Sequence, residues 1–195
     1  MDRTGFGALQ GHHGESIGAG AFMLTDTLHE VVGHGGACLL IGQKITLITS
    51  VYFRSRPGSF LTDIGGPAAN LVFGLLIYGL LKTTKNLSPL TRIFLMFGMA
   101  DNFFWFSGTL LQSSFSKTGD WVYAIKELHI GDFGRPALII AAIAAYWISI
   151  RMIKLPILFI VKRRQGGYEP RASMGFNVKV LVLFIIFCLT LGRGI

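Results

Sequence analysis

Thr27 to Gly36 reads TLHEVVGHGG and sits inside an apolar run from Ile17 to Ile41. Ionisable residues in such a run are costly and normally face a protein-lined or water-lined interior. Asp26, His29, Glu30 and His34 fall within nine positions. One polar residue can act as interhelical glue, but four on one run point to a shared site. The metal-binding arrangement His-Glu-x-x-His sets two imidazoles on one helical face with the glutamate as general base. Here the histidines are five apart, and at roughly 100° per residue a regular helix splays them by about 140°. A π-bulge, an inserted residue in the helix, returns positions five apart to one face. Gly33, Gly35 and Gly36 ease that distortion because glycine weakens a regular helix.

The rest of the chain sets this run in a bilayer. Of 195 residues 51% are hydrophobic and 14% charged, with mean hydropathy +0.55, whereas a soluble domain carries about a quarter charged residues. Runs near the roughly 20 residues needed to cross a bilayer occur at Ile17 to Ile41, Leu61 to Leu81, Leu90 to Leu111, Ala137 to Val161 and Val178 to Leu191. The expected architecture is an all-α, multi-pass integral membrane protein of about five transmembrane helices. It forms a single domain, 1–195, since no linker or repeat divides it. The 25 glycines suit close helix contact in lipid. Cys38 and Cys188 fall in apolar runs and read as small buried hydrophobes.

Charge placement gives an orientation. Lys82, Lys85 and Arg92 flank one loop, and Arg151, Lys154, Lys162, Arg163, Arg164 and Arg171 crowd another. Five spans put both loops on the side of the N-terminus, and the positive-inside rule makes that side cytoplasmic. The net charge of +8 then implies attraction to anionic lipid rather than to nucleic acid. The N-terminal stretch MDRTGFGALQGHHGES lacks the basic start, apolar core and cleavage site of a signal peptide.

After the histidine run comes KITLITSVYF, rich in β-branched and aromatic residues and read as a strand, so the helical bundle carries a small β insertion. DIGGPAANLVFGLL follows. In this order the segments resemble the site-2 protease family of intramembrane zinc metallopeptidases and its short bacterial relatives, over about Leu24 to Trp121. In that family a membrane helix carries two histidines and a glutamate, a β-structured segment follows, and Gly-Pro-x-x-Asn opens the next helix. Here these are His29, Glu30 and His34, then Gly66, Pro67 and Asn70. The departure is the extra residue, His-Glu-x-x-x-His, which also occurs in a soluble class of zinc dipeptidyl peptidases.

The resemblance implies one zinc ion held by both histidines and a carboxylate, with Glu30 as general base. Asn70 and Asn102 are candidates to orient the substrate carbonyl or donate to the oxyanion. Two aspartates compete as third ligand. Asp101 lies in the third span at a depth similar to the histidines. Asp120, in Gly-Asp-Trp, resembles a late motif of the short bacterial relatives and follows Asn102, but GTLLQSSFSKTG must fold back into the membrane to deliver it. Asp26 is placed to hydrogen-bond His29, and Asp63 to pair with Arg54 or Arg56. His12, His13 and His129 read as solvated, and Phe103 to Phe106 as bilayer packing.

The expected activity is intramembrane zinc endoproteolysis of membrane proteins or peptides, with the bilayer and a membrane regulator as further partners. A free strand edge in KITLITSVYF would take up an extended substrate by β-augmentation. The alternatives are an inactive membrane scaffold or chaperone of the same fold and a metal or small-solute transporter, for which repeat halves are wanting. Five histidines without paired boxes count against a di-iron oxygenase.

Overall fold

The computed structural model describes residues 16–164. The expected fifth span with Cys188, and His12 and His13, lie outside the described residues. Helix α1 covers 16–40 in three continuous parts. It is regular over 16–27, a π-helix over Leu28–Gly35 and regular again over Gly36–Leu40. The wide part contains both histidines, and the Gly36 N–H reaches back five residues to the Val31 carbonyl. The sequence's one-residue excess is absorbed where the expectation put it.

KITLITSVYF is not one strand. It holds β1 (Lys44–Ile48), a reversal and the first residue of β2 (Phe53–Arg56), an antiparallel hairpin pairing Lys44 with Arg56 and Ile48 with Phe53. The reversal has no Gly, Pro or Asn, so the usual turn signals were missing. Helix α2 (Phe60–Thr83) begins at Ser59, whose hydroxyl accepts from the Thr62 N–H, satisfying an orphan donor of the first turn. Helix α3 (Pro89–Phe115) starts similarly, with Ser88 as cap and Pro89 in the first turn, where a missing N–H costs nothing.

The expected third span ends later than Leu111, at Phe115. Of the segment expected to fold back, 108–115 continues α3 and only 116–119 turns, ending in Gly119 at φ 127°, a conformation glycine tolerates, before the short helix α4 (Asp120–Glu127). A 3-10 turn, Gly131–Phe133, leads into α5 (Gly134–Arg164). The described chain is thus five helices and a two-stranded sheet. Two stretches, Phe60–Thr83 and Gly131–Lys154, are long and apolar enough to cross a membrane. Helices α1 and α3, expected as spans too, are diluted by polar residues that include Asp26, His29, Glu30, His34, Arg92, Asp101 and Asn102.

Helix α2 is central, contacting α1, α3 and α4, while α5 packs along α3. The α2 and α3 contact is built on Leu81, Met99 and Phe103, with the Phe103 ring lying where a side chain at Gly74 would be. Leu110, Leu138 and Ala142 form the α3 and α5 contact. Cys38 is fully buried, as expected of a small hydrophobe.

Helices α1 and α2 approach most closely at the wide turn. A β-carbon on Gly33 would stand 2.6 Å from the Gly66 Cα, and one on Gly65 would stand 2.6 Å from the Gly33 carbonyl. Backbone here lies directly on backbone, as small residues permit in membrane helix packing.

Candidate metal centre

Three side chains from two distant parts of the chain converge at this contact. His29 Nε2 and His34 Nε2 are 3.1 Å apart. The two Asp120 carboxylate oxygens lie 3.3 Å from His29 Nε2 and 3.5 Å from His34 Nε2. The histidines are buried, and Asp120 is the first residue of α4. Helix α4 is set by burial of Val122 and Ala124 and by the Trp121 indole N–H, which donates to Thr109 Oγ1 at 3.1 Å.

The opposite edge of each imidazole is occupied. His29 Nδ1–H donates to Asn70 Oδ1 at 2.5 Å, and His34 Nδ1–H donates to the Thr62 carbonyl at 2.7 Å. A neutral imidazole that donates through Nδ1 presents its Nε2 as a lone pair. Two lone pairs and a carboxylate therefore face one point, an arrangement that calls for a cation.

The donors are close enough to share one ion. The two Nε2 atoms stand 3.1 Å apart, each meets a different Asp120 oxygen at 3.3 or 3.5 Å, and one donor atom from each residue lies within 4.8 Å of the other two. Together, His29, His34 and Asp120 form the one group of this kind among the described residues and can hold a metal ion. Gly66 makes room for it: a β-carbon there would lie 2.6 Å from His29 Nε2 and closer still to His34 Nε2. The glycine of Gly-Pro-x-x-Asn is thus a steric requirement of the centre.

Asn70 links the His29 imidazole to helix α3. Its Oδ1 holds His29, and its Nδ2 donates to Asn102 Oδ1 at 3.0 Å. Asn102 Nδ2 donates in turn to Thr25 Oγ1 at 3.1 Å and the Gly98 carbonyl at 2.7 Å. This relay ties α2 to α3 and α3 back to α1. Every polar group of Asn102 has a partner, and Asn70, fully buried, keeps a single uncommitted hydrogen. Both asparagines stand behind the imidazole and position it.

Of the two aspartates, Asp120 joins the imidazoles and Asp101 does not. Asp101 adjoins Asn102 in sequence, but one residue turns a helix by about 100°, which leaves it half-buried away from the centre. Glu30 is half-buried, within electrostatic reach of His29 and Asp120. Asp26 is buried within electrostatic reach of His29, and no hydrogen bond joins the two among the described residues. Asp63 forms no ion pair with Arg54 or Arg56 among the described residues. His129 is exposed, with φ 55°.

Four contributors escaped the sequence reading. Thr62 acts through its carbonyl, which no side chain announces. Thr25 closes the asparagine relay, Phe53 stacks on His34 with ring centres 5.5 Å apart and planes 16° from parallel, and Trp105 meets His29 edge-on at 6.0 Å. Only Trp105 carried a signal, as part of an aromatic block read as bilayer packing. No protein-family profile, curated protein or solved structure matches the chain.

Proposed function

We propose that the chain is an integral membrane zinc metallopeptidase similar to the site-2 proteases, hydrolysing peptide bonds of membrane proteins or peptides. The observation that carries this reading is the meeting of His29, His34 and Asp120 within reach of one ion, with Glu30 on the same wide turn.

The membrane setting rests on where the apolar surface lies. In Phe60–Thr83 and Gly131–Lys154 the most apolar windows are only 28% and 22% buried. A soluble core helix would bury that surface, whereas here Leu75, Leu76, Leu80, Ile140, Ile143 and Ile148 point outward. Exposed apolar area of this extent marks a membrane or protein contact, and lipid on two helices accounts for both.

His29, His34 and Asp120 would hold the ion. Zinc there supplies Lewis acidity, polarising a peptide carbonyl and making water nucleophilic near neutral pH. Glu30 takes the proton of the attacking water and delivers it to the leaving amine as the C–N bond breaks. Asn70 and the Thr62 carbonyl keep both Nε2 lone pairs aimed at the metal. The hairpin offers β2 beside His34, where an extended substrate can pair with a strand edge instead of hiding its carbonyls in helical hydrogen bonds. Proline placed along β2 should impair cleavage at alternate positions only, and uniform tolerance refutes this docking mode.

The inactive-scaffold alternative drew on the irregular histidine spacing, and the wide turn removes that motive. Elemental analysis of purified protein, with Glu30→Gln beside it, tests the proposal. Near-stoichiometric zinc in both, and turnover in the unchanged protein alone, is the expected outcome. Folded protein that takes up no zinc on reconstitution sinks the proposal, and zinc binding with no hydrolytic activity on any peptide returns it to the scaffold.

A further inference from the structure

A cleft of ≈ 650 Å³ opens between β2 and α4, within the usual size of a ligand site. Its inner end abuts the metal centre. Phe53, in its wall, stacks on His34, Asp63 follows the Thr62 carbonyl that holds the same ring, and α4 carries Asp120. Four consecutive residues line it, Tyr52 and the first three of β2, 53–55. Side chains of a strand alternate between faces, so a cleft touching four in a row meets the strand along its edge.

Its charges are unneutralised. Arg54, Asp63, Lys126 and Glu127 all line the cleft, and among the described residues no ion pair joins them. Arg54 lies 5.8 Å from the Tyr52 ring centre and donates to the Tyr52 hydroxyl at 3.1 Å. Lys126 lies 5.7 Å from the Tyr123 ring centre. An aromatic face holds a cation in place without cancelling its charge. Asp63 is half-buried at the inner end, while Arg54, Lys126 and Glu127 are exposed at the rim. A lipid tail has no business among charges of both signs, whereas a polar polypeptide can match each of them.

We infer that this cleft binds the extended polar tail flanking the scissile segment of a polypeptide substrate, with a basic side chain against Asp63 and an acidic one between Arg54 and Lys126. The inference rests on the peptidase reading and defines its substrate class: membrane segments flanked by a tail of ordered charge, basic nearer the cut and acidic further out.

The test uses full-length protein in nanodiscs and fluorescent peptides that share one apolar segment and carry a tail on either side, in Lys-then-Glu or Glu-then-Lys order outward from it. Anisotropy on zinc-loaded Glu30→Gln reads binding, and cleavage by the unchanged protein reads turnover. The Lys-first tail should bind tighter by about two- to fivefold for each ion pair gained. The preference should fade in 1 M salt, where the screening length is about 3 Å. Arg54→Glu with Lys126→Glu should reverse the preference at the outer position. Equal binding of the two orders in low salt, read on protein with unaltered cleft residues, overturns the inference. Cleavage without discrimination leaves the peptidase reading standing and removes the cleft from it. Discrimination without cleavage by zinc-loaded protein keeps the cleft as a polypeptide site and removes the peptidase.

Discussion

A single hydrogen atom decides whether the two imidazoles can meet. At Gly66 any side chain would enter the space between His29 and His34, so Gly66→Ala should abolish the proposed zinc binding. Helix propensity argues the other way, since alanine is favoured over glycine by about 1 kcal/mol in a helix interior. Loss of metal from a variant that stays folded by circular dichroism therefore reports steric exclusion. Retention of stoichiometric zinc would show that the centre is not where these residues put it. Asn70→Ala acts through orientation instead. It removes the acceptor that fixes the His29 ring and strands the Asn102 carbonyl, and loss of such a partner typically weakens metal binding about 10- to 100-fold. Competition with a chromogenic chelator measures this, and unchanged affinity would exclude the relay as a positioning device.

The wide turn is the element on which the site depends. If it only absorbs one inserted residue, deleting Val32 should leave a regular α-helix with His-Glu-x-Gly-His four apart on one face, and both flanking faces should keep their registers. Zinc stoichiometry should survive, with Thr25 still opposite Asn102. Loss of zinc from folded protein would mean that the π geometry itself sets the ligand angles. Gly33→Ala tests the packing against α2: the added β-carbon meets backbone at 2.6 Å, which cannot rotate aside, and overpacking of this kind costs about 1–3 kcal/mol. A thermal midpoint equal to that of the unchanged protein would contradict the close approach. The turn was legible in the sequence because the excess residue, the glycines and the paired histidines occur together. Asp120 was legible only as a candidate beside Asp101, through Gly-Asp-Trp and its place after Asn102, because span boundaries give depth but not direction around a helix axis. The choice against Asp101 needed α4 and the Trp121 to Thr109 hydrogen bond, a contact between residues with no local pattern. The hairpin stayed hidden for a related reason, its reversal being made by Thr49 to Tyr52 without a turn residue.

On the scale of the whole molecule, the centre lies toward the end of the bundle that carries the hairpin, α4 and the first turn of α2. Thr62 in that first turn touches His34, while Asn70, about two turns further along, touches His29. The two histidines thus lie on the route between the polar cleft and the apolar length of α2. On the proposed peptidase reading, a substrate would keep its charged tail in water while the bond to be cut sat at the edge of the hydrocarbon, where an unwound peptide would pair with β2. This arrangement depends on α2 crossing the bilayer, so the hairpin and the loop at Lys85 should face opposite compartments. Cysteine introduced at Arg54 should react with a membrane-impermeant maleimide from one side of sealed vesicles, and cysteine at Lys85 from the other. Cysteine at Leu76 or Ile140, on outward apolar faces, should react only after detergent is added. The positive-inside expectation would make the Lys85 side the cytoplasmic one. Labelling of Arg54→Cys and Lys85→Cys from the same side would deny α2 its span and place the metal centre outside the membrane. Protection of Leu76→Cys and Ile140→Cys with labelling from both sides puts it at the membrane boundary, within reach of a segment that has begun to leave the lipid.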